Sequence, residues 1–136
     1  MIDIDFFKKY NDNYGHLKGD EVISIIASLL TDNCRKSDKI IRYGGEEFCI
    51  LLPNTNNKEA IILANRLLKT VNESKIEHLY SPISKYLTLS IGISSTTTSC
   101  SDNHNLSELL HLADTELYKA KSNGRSQYSC IQIKAI

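Results

Sequence analysis

Apolar and acidic side chains alternate at the start of the chain. Ile2, Ile4 and Phe6 point one way and Asp3 and Asp5 the other, the period-two signature of a strand. Met1 to Phe6 is therefore predicted as a strand with an acidic face. The Asn-rich stretch that follows, up to Tyr14-Gly15-His16, is predicted to break regular structure. From Asp20, the spacing of Val22, Ile25, Ile26, Leu29 and Leu30 predicts a helix ending near Asn33. Lys39 to Tyr43 and Phe48 to Leu52 read as short strands, and Gly44-Gly45 between them predicts a tight hairpin whose primed turn needs positive φ. Asn56-x-x-Glu59 resembles a capping box. It opens a helix striped by Ala60, Leu63, Ala64, Leu67, Leu68 and Val71. Tyr86 to Ile93 reads as a buried strand and Ser94 to Ser101 as a loop. Asn105-x-x-Glu108 opens a last helix with Leu109, Leu110, Ala113, Leu117 and Ala120 inward, Gly124 is placed as its C-terminal cap, and Tyr128 to Ile133 forms a final strand. Helices and strands in mixed order around one hairpin favour an α/β or α+β sandwich with helices packed on a sheet.

Composition narrows the class. With 136 residues, the chain is expected to form one domain, 1–136, able to hold a core. Hydrophobic residues at 41% and charged residues at 24% exclude a disordered tail, a collagen-like rod and a coiled coil. No apolar run approaches the roughly 20 residues that span a bilayer, and no signal peptide opens the chain, so neither membrane contact nor export is expected. Lys+Arg 16 against Asp+Glu 16 argues against a broad grip on nucleic acid, while leaving a local basic pocket open. Cys34, Cys49, Cys100 and Cys130 form no C-x-x-C pair and are expected to be reduced cytosolic thiols, with Cys49 in the core.

Candidate chemistry sits at the charged positions. Asp3 and Asp5, with Cα atoms ~6.6 Å apart at ~3.3 Å per residue, suit a hard cation such as magnesium; a solvated edge strand or pairing with basic neighbours is the more ordinary explanation of the strand taken alone. Glu46 and Glu47 at the hairpin tip can complete such a site or merely decorate a turn. Lys121 and Arg125 complement the dipole at the end of the last helix or clamp phosphate, the arginine bidentately; Lys8 has the same ambiguity. His16 and Asp20, around Gly19, read as ligand contacts or as caps of the first long helix. Arg35-x-x-Asp38, alone, is an ordinary solvated pair.

Together these residues carry a resemblance. Met1-Ile-Asp-Ile-Asp-Phe-Phe-Lys8, Asn11-Asp-x-Tyr-Gly-His16, Gly19-Asp20 and Arg42-Tyr-Gly-Gly-Glu-Glu-Phe48 resemble the GGDEF domain of diguanylate cyclases. Ser90-Ile-Gly92 and Ala113-Asp114, Leu117-Tyr118, Ala120-Lys121, Gly124-Arg125 agree with it in the second half. The resemblance runs from Met1 to about Tyr128. It implies an α+β fold, a central mostly antiparallel sheet wrapped by helices with the ferredoxin-like core of polymerase palms and nucleotide cyclases. It implies condensation of two GTP into cyclic di-GMP and two pyrophosphates, across a homodimer, with the 3′-hydroxyl of each GTP attacking the α-phosphate of the other. Two Mg²⁺ (or Mn²⁺) per site are implied, held by Asp3, Glu46 and the Ile4 carbonyl, with Asp5 in support. Glu46 and then Glu47 are implied as candidates to accept the hydroxyl proton, and Lys8 as a transition-state cation. Phe6 and Phe7 amides, Lys121 and Arg125 are implied at the triphosphate, Gly44 and Gly45 beneath the nucleotide, Asn11 and Asp20 at the guanine edge, and His16 nearby. Arg35, Asp38 and Arg66 are implied as an inhibitory site for the cyclic di-GMP product. The domain is implied to be cytoplasmic.

The resemblance also permits a catalytically inactive module that senses cyclic di-GMP or GTP. The intact Gly44-Gly45-Glu46-Glu47-Phe48 argues for the enzyme. One departure is that family domains usually open with a helix carrying Asp-x-Leu-Thr-Gly-Leu-x-Asn-Arg, whereas this chain starts inside the first strand, so part of the sheet is expected to be uncovered.

Overall fold

The computed structural model describes residues 1–97 and 106–133. Its elements run β1 (Ile2–Ile4), α1 (Phe7–Tyr14), α2 (His16–Asn33), β2 (Lys39–Arg42), β3 (Glu47–Leu51), α3 (Asn57–Glu73), β4 (Leu89–Thr96), α4 (Leu106–Ser122) and β5 (Tyr128–Ile133). The five strands form one sheet in the order β2-β3-β1-β4-β5. Every pairing is antiparallel except β4 with β5. Strands β4-β1-β3-β2 have the ferredoxin-like order, and β5 adds a parallel edge. The expected α+β class and mostly antiparallel sheet are therefore observed.

The strand alternation at the N-terminus places the core. Ile2 and Ile4 join Phe48, Leu89 and Ile91 in packing against Val22, Ile26 and Leu30 of α2 and Ala64, Leu67 and Val71 of α3. The opposite face carries Met1 and Cys49 against Ala113 and Leu117 of α4. Gly92 makes that contact possible: a Cβ there would lie 2.0 Å from the Ala113 carbonyl oxygen and 2.2 Å from the Leu117 nitrogen. An apolar groove of about 880 Å³ opens between α3 and α4 along Met1, Ile2, Cys49, Ile91 and Ile93. Among the described residues, no helix is long and apolar enough to cross a membrane.

Several local expectations change. The Asn-rich stretch is helical: Phe7 and Tyr10 are buried, Tyr14 stacks on Tyr10 at 4.5 Å, and this aromatic stripe outweighs the modest helix propensity of asparagine. The next helix starts at His16 rather than Asp20, after Gly15 turns the chain at φ 91°, so Asp20 lies inside α2 and is not its N-cap. The strand from Met1 stops at Ile4, because Phe6 turns left-handed at φ 54° and leads into α1. Neither Gly44 nor Gly45 has positive φ. Their loop is wider than a two-residue turn: the Tyr43 and Gly44 amides both donate to the Glu47 carbonyl, and the Arg42 guanidinium donates to the Gly44 and Gly45 carbonyls. β4 begins at Leu89 and continues through Thr96, into the segment expected to be loop; residues 98–101 of that segment, with Cys100, and Asn105 lie outside the described residues. The Asn56–Glu59 capping box, the span of β5 and the capping of α4 by Gly124 (φ 114°) are as expected.

Candidate active site

β1 lies between β3 and β4, and its register assembles an acidic group. Asp3 is opposite Glu47, and the Ile4 amide donates to the Glu46 carbonyl at 3.2 Å. Asp3 and Glu47 therefore share the α4 face of the sheet, and Glu46 follows at the hairpin tip. Asp3 is buried, contrary to a solvated acidic face, and Lys121 from the last turn of α4 reaches it at 2.9 Å. The Asp3 carboxyl is raised to about 6: burial is the main cause, the neighbouring charges of Glu46 and Glu47 add to it, and Lys121 opposes them. Among the described residues, no three His, Cys, Asp or Glu side chains already form a metal cage; Asp3 is held by Lys121 instead.

Asp5 has a different task. It is 1% exposed and accepts from the Thr88 hydroxyl at 2.7 Å, the Ser90 hydroxyl at 2.6 Å and the Ser126 amide at 3.1 Å. It thereby ties the end of β1 to β4 and to the turn between α4 and β5. That turn places Arg125, itself left-handed at φ 63°, with its guanidinium 4.3 Å over the Phe6 ring. Lys9 approaches the same ring at 5.7 Å. Phe6 holds a left-handed backbone that costs a non-glycine residue about 1–2 kcal/mol. It is the residue before α1 and offers no side-chain cap, so the amides of the first turn, beginning at Phe7, are free of an intrahelical partner. Lys8 in that turn is exposed.

The two helices beyond the turn frame a second polar position. Asn11 on α1 has a buried Oδ1 without a hydrogen-bond partner. Gly19 on α2 lets the helices approach there: a Cβ would fall 1.8 Å from that oxygen. His16 and Asp20 are exposed on the same helix as Gly19. Gly45, at the hairpin tip, is open, and a side chain there would meet nothing within 4 Å.

Arg35, Asp38 and Arg66 converge elsewhere. They line a cavity of about 150 Å³ with Leu52, Thr55, Glu59, Ile62 and Leu63. Asp38 accepts from the Arg35 amide at 2.8 Å through one oxygen, while its other oxygen is buried and unpartnered. Arg66 donates to the Asn33 carbonyl at 2.7 Å. The larger groove between α3 and α4 is lined by none of the carboxylates of the β1–hairpin group.

Sequence reasoning left Asp5 without a firm role, and its burial among two hydroxyls had no local signal. It gave no weight at all to His78, whose ring abuts the Phe6 carbonyl.

Comparison with known proteins shows the family and the fold. The family model described as diguanylate cyclase, GGDEF domain, matches residues 1–127. Diguanylate cyclase A of Treponema denticola is 41% identical over 127 residues, covering 93% of this chain and 33% of that protein. The response regulator PleD of Caulobacter vibrioides is 40% identical over 126 residues, covering 93% of this chain and 27% of its own length. The chain thus spans about a third or less of these relatives. Among solved structures, the active GGEEF domain of a diguanylate cyclase from Vibrio cholerae superposes with a TM-score of 0.75 at 35% identity, covering 99% of this chain and 81% of that one. The GGDEF domain of DgcB from Caulobacter crescentus, in complex with c-di-GMP, gives 0.81 at 27% identity, covering 95% and 74%.

Proposed function

The chain belongs to the GGDEF domain family of diguanylate cyclases, and from that membership we propose that it condenses two GTP into cyclic di-GMP and two pyrophosphates. The observation that carries this reading is the register of β1 against β3, which sets Asp3 beside Glu47 and next to Glu46. Nucleotidyl transfer asks a protein mainly for positioning and charge neutralisation, and the side chains around this register are of those kinds.

The acidic group fits a hard divalent cation: burial lifts the Asp3 carboxyl and the charges of Glu46 and Glu47 add to it, and a cation among these oxygens would favour the ionised form. Asp3, Glu46 and the Ile4 carbonyl would hold Mg²⁺ or Mn²⁺, two per site. When bound, the metal polarises phosphate and hydroxyl oxygens. Lys121, now paired with Asp3, and Arg125 neutralise triphosphate charge. The free amides following Phe6, including that of Phe7, donate to phosphate oxygens, and Lys8 adds charge as the transition state forms. Glu46, or Glu47 beside it, accepts the proton of the 3′-hydroxyl. Gly44 and Gly45 leave room for the nucleotide against the hairpin. The orphaned Asn11 Oδ1 and the Asp20 carboxylate accept from the guanine N–H donors, with His16 alongside. The reaction needs two such sites facing each other, so a homodimer is the working unit.

Arg35, Asp38 and Arg66 form the product site in this reading. Arginine suits both phosphate and guanine faces, and the unpartnered Asp38 oxygen is an acceptor without a protein donor. Incubating the full-length protein with GTP and Mg²⁺ and resolving the products decides the matter. Cyclic di-GMP with pyrophosphate is expected; nucleotide binding without turnover would make the domain a sensor instead. Arg35→Ala should relieve inhibition by added cyclic di-GMP by at least about tenfold, and unchanged inhibition would remove the product-site assignment.

A further inference from the structure

Behind the Phe6 turn lies a buried imidazole that the chemistry above does not use. His78 is 0% exposed. Its Nε2 is 3.1 Å from the Phe6 carbonyl oxygen, and its Nδ1 has no hydrogen-bond partner. A carbonyl only accepts, so the ring proton sits on Nε2. Burial holds the His78 pKa below its ordinary value, and the Phe6 carbonyl and Lys9 act on it in opposite senses. The ring stands edge-on to Tyr10 and Tyr14, with centroids 5.3 and 6.3 Å away.

The segment that delivers His78 is fastened to α1. The Leu79 amide donates to the Tyr14 hydroxyl at 2.9 Å, and that hydroxyl donates to Glu77 at 3.3 Å. The His78 amide donates to the Lys85 carbonyl at 2.8 Å, and Glu77 bridges Tyr86.

As core filler an imidazole with one unpaired nitrogen is a poor choice, since an apolar ring would avoid the desolvation cost. What it adds is a single bond to the Phe6 carbonyl, which also accepts from the Tyr10 amide at 3.1 Å. A trans peptide is planar, with its C=O and N–H pointing in opposite directions. The Phe6 carbonyl and the Phe7 N–H belong to one such peptide. A donor that fixes the carbonyl inward therefore fixes the Phe7 N–H outward, on a turn whose left-handed backbone (φ 54°) is otherwise unfavourable.

We propose that His78 is a positioning residue for the phosphate-binding turn: its Nε2–H pins the Phe6 carbonyl and so aims the Phe7 amide at the triphosphate. The proposal rests on the reading of GTP as substrate.

Two measurements on the full-length protein test it. In long-range ¹H–¹⁵N spectra of the nucleotide-free protein, His78 should be the Nε2–H tautomer between about pH 6 and 8; the Nδ1–H tautomer would overturn the proposal whatever the ligand. The second measurement is the ratio of guanosine Kd to GTP Kd, which isolates the triphosphate contribution. His78→Phe should lower that ratio about tenfold, the worth of one hydrogen bond, with guanosine affinity unchanged, while His78→Gln, which restores an N–H donor, should stay within about threefold of the parent. An unchanged ratio in His78→Phe overturns the proposal. If His78→Phe does not fold, His78→Gln decides: a retained ratio supports the proposal and a tenfold loss overturns it. A parent protein that binds GTP no better than guanosine would refute the substrate reading, leaving the tautomer as the test of the contact.

Discussion

Asp3 and Asp5 sit two positions apart and do opposite things. Asp3 faces the site with Lys121 and the hairpin glutamates, and its carboxyl titrates at about 6 against an ordinary 3.8. A native pKa above the unfolded one means that the folded protein binds the proton more tightly. In metal-free protein this residue therefore lowers stability as pH rises from about 4 to about 6, and the penalty stays in place above that. Urea unfolding across this range should show the decline in the parent and a flatter profile in Asp3→Asn; equal profiles would show that the carboxyl is not perturbed. Asp5 holds structure instead. Asp5→Ala leaves two hydroxyls and the Ser126 amide without their acceptor, and should cost about 3 kcal/mol in unfolding free energy. It should also weaken GTP binding, because Arg125 sits next to the released amide.

At the scale of elements, most strands and the long helices were legible because their patterns are local, while the arrangement of the strands in one mostly antiparallel sheet came only from the family resemblance. The stripe of α3 and its Asn56–Glu59 box are complete within a few turns, and the Tyr128 to Ile133 strand is found where its apolar positions place it. α1 was hidden because three asparagine and aspartate residues lie among Phe7, Tyr10 and Tyr14, and burial against distant residues decides its state. The width of the Gly44–Gly45 loop depends on the Arg42 guanidinium bridging its carbonyls, a contact with no signature in spacing. The acidic and basic residues of the proposed site were singled out as a site only through their family resemblance, whereas His78 is a single residue in an irregular segment and its partner is 72 positions away. Packing between elements yields its own test. Gly92→Ala would drive a methyl into the backbone of α4. Because neither contact atom belongs to a movable side chain, the variant should lose more than about 3 kcal/mol of stability. A melting temperature within a few degrees of the parent would contradict the observed seating of α4 on β4.

For the whole molecule, the proposed reaction joins two nucleotides held by two copies of the chain. Specific activity should rise with protein concentration until dimers are saturated, and then level off. Mixing an Asp3→Asn protomer with an excess of parent should depress the rate more than dilution alone predicts, since mixed dimers carry one impaired half-site. A rate strictly proportional to concentration over a hundredfold range, roughly two decades of occupancy, would point to turnover within a single copy.

The Ser126–Asp5 bond has a consequence for how the protein is made. Its two ends are 121 positions apart. At about 5–20 residues per second, a ribosome needs at least ~6 seconds after adding Asp5 before its final donor exists, and longer before that donor clears the exit tunnel. Throughout that interval the nascent chain has an aspartate destined for the interior without its full set of donors, and Arg125 is not yet in place. On the proposed function, competence to handle nucleotide therefore waits for the α4–β5 turn, and a polypeptide cut short before it would be synthesised but silent.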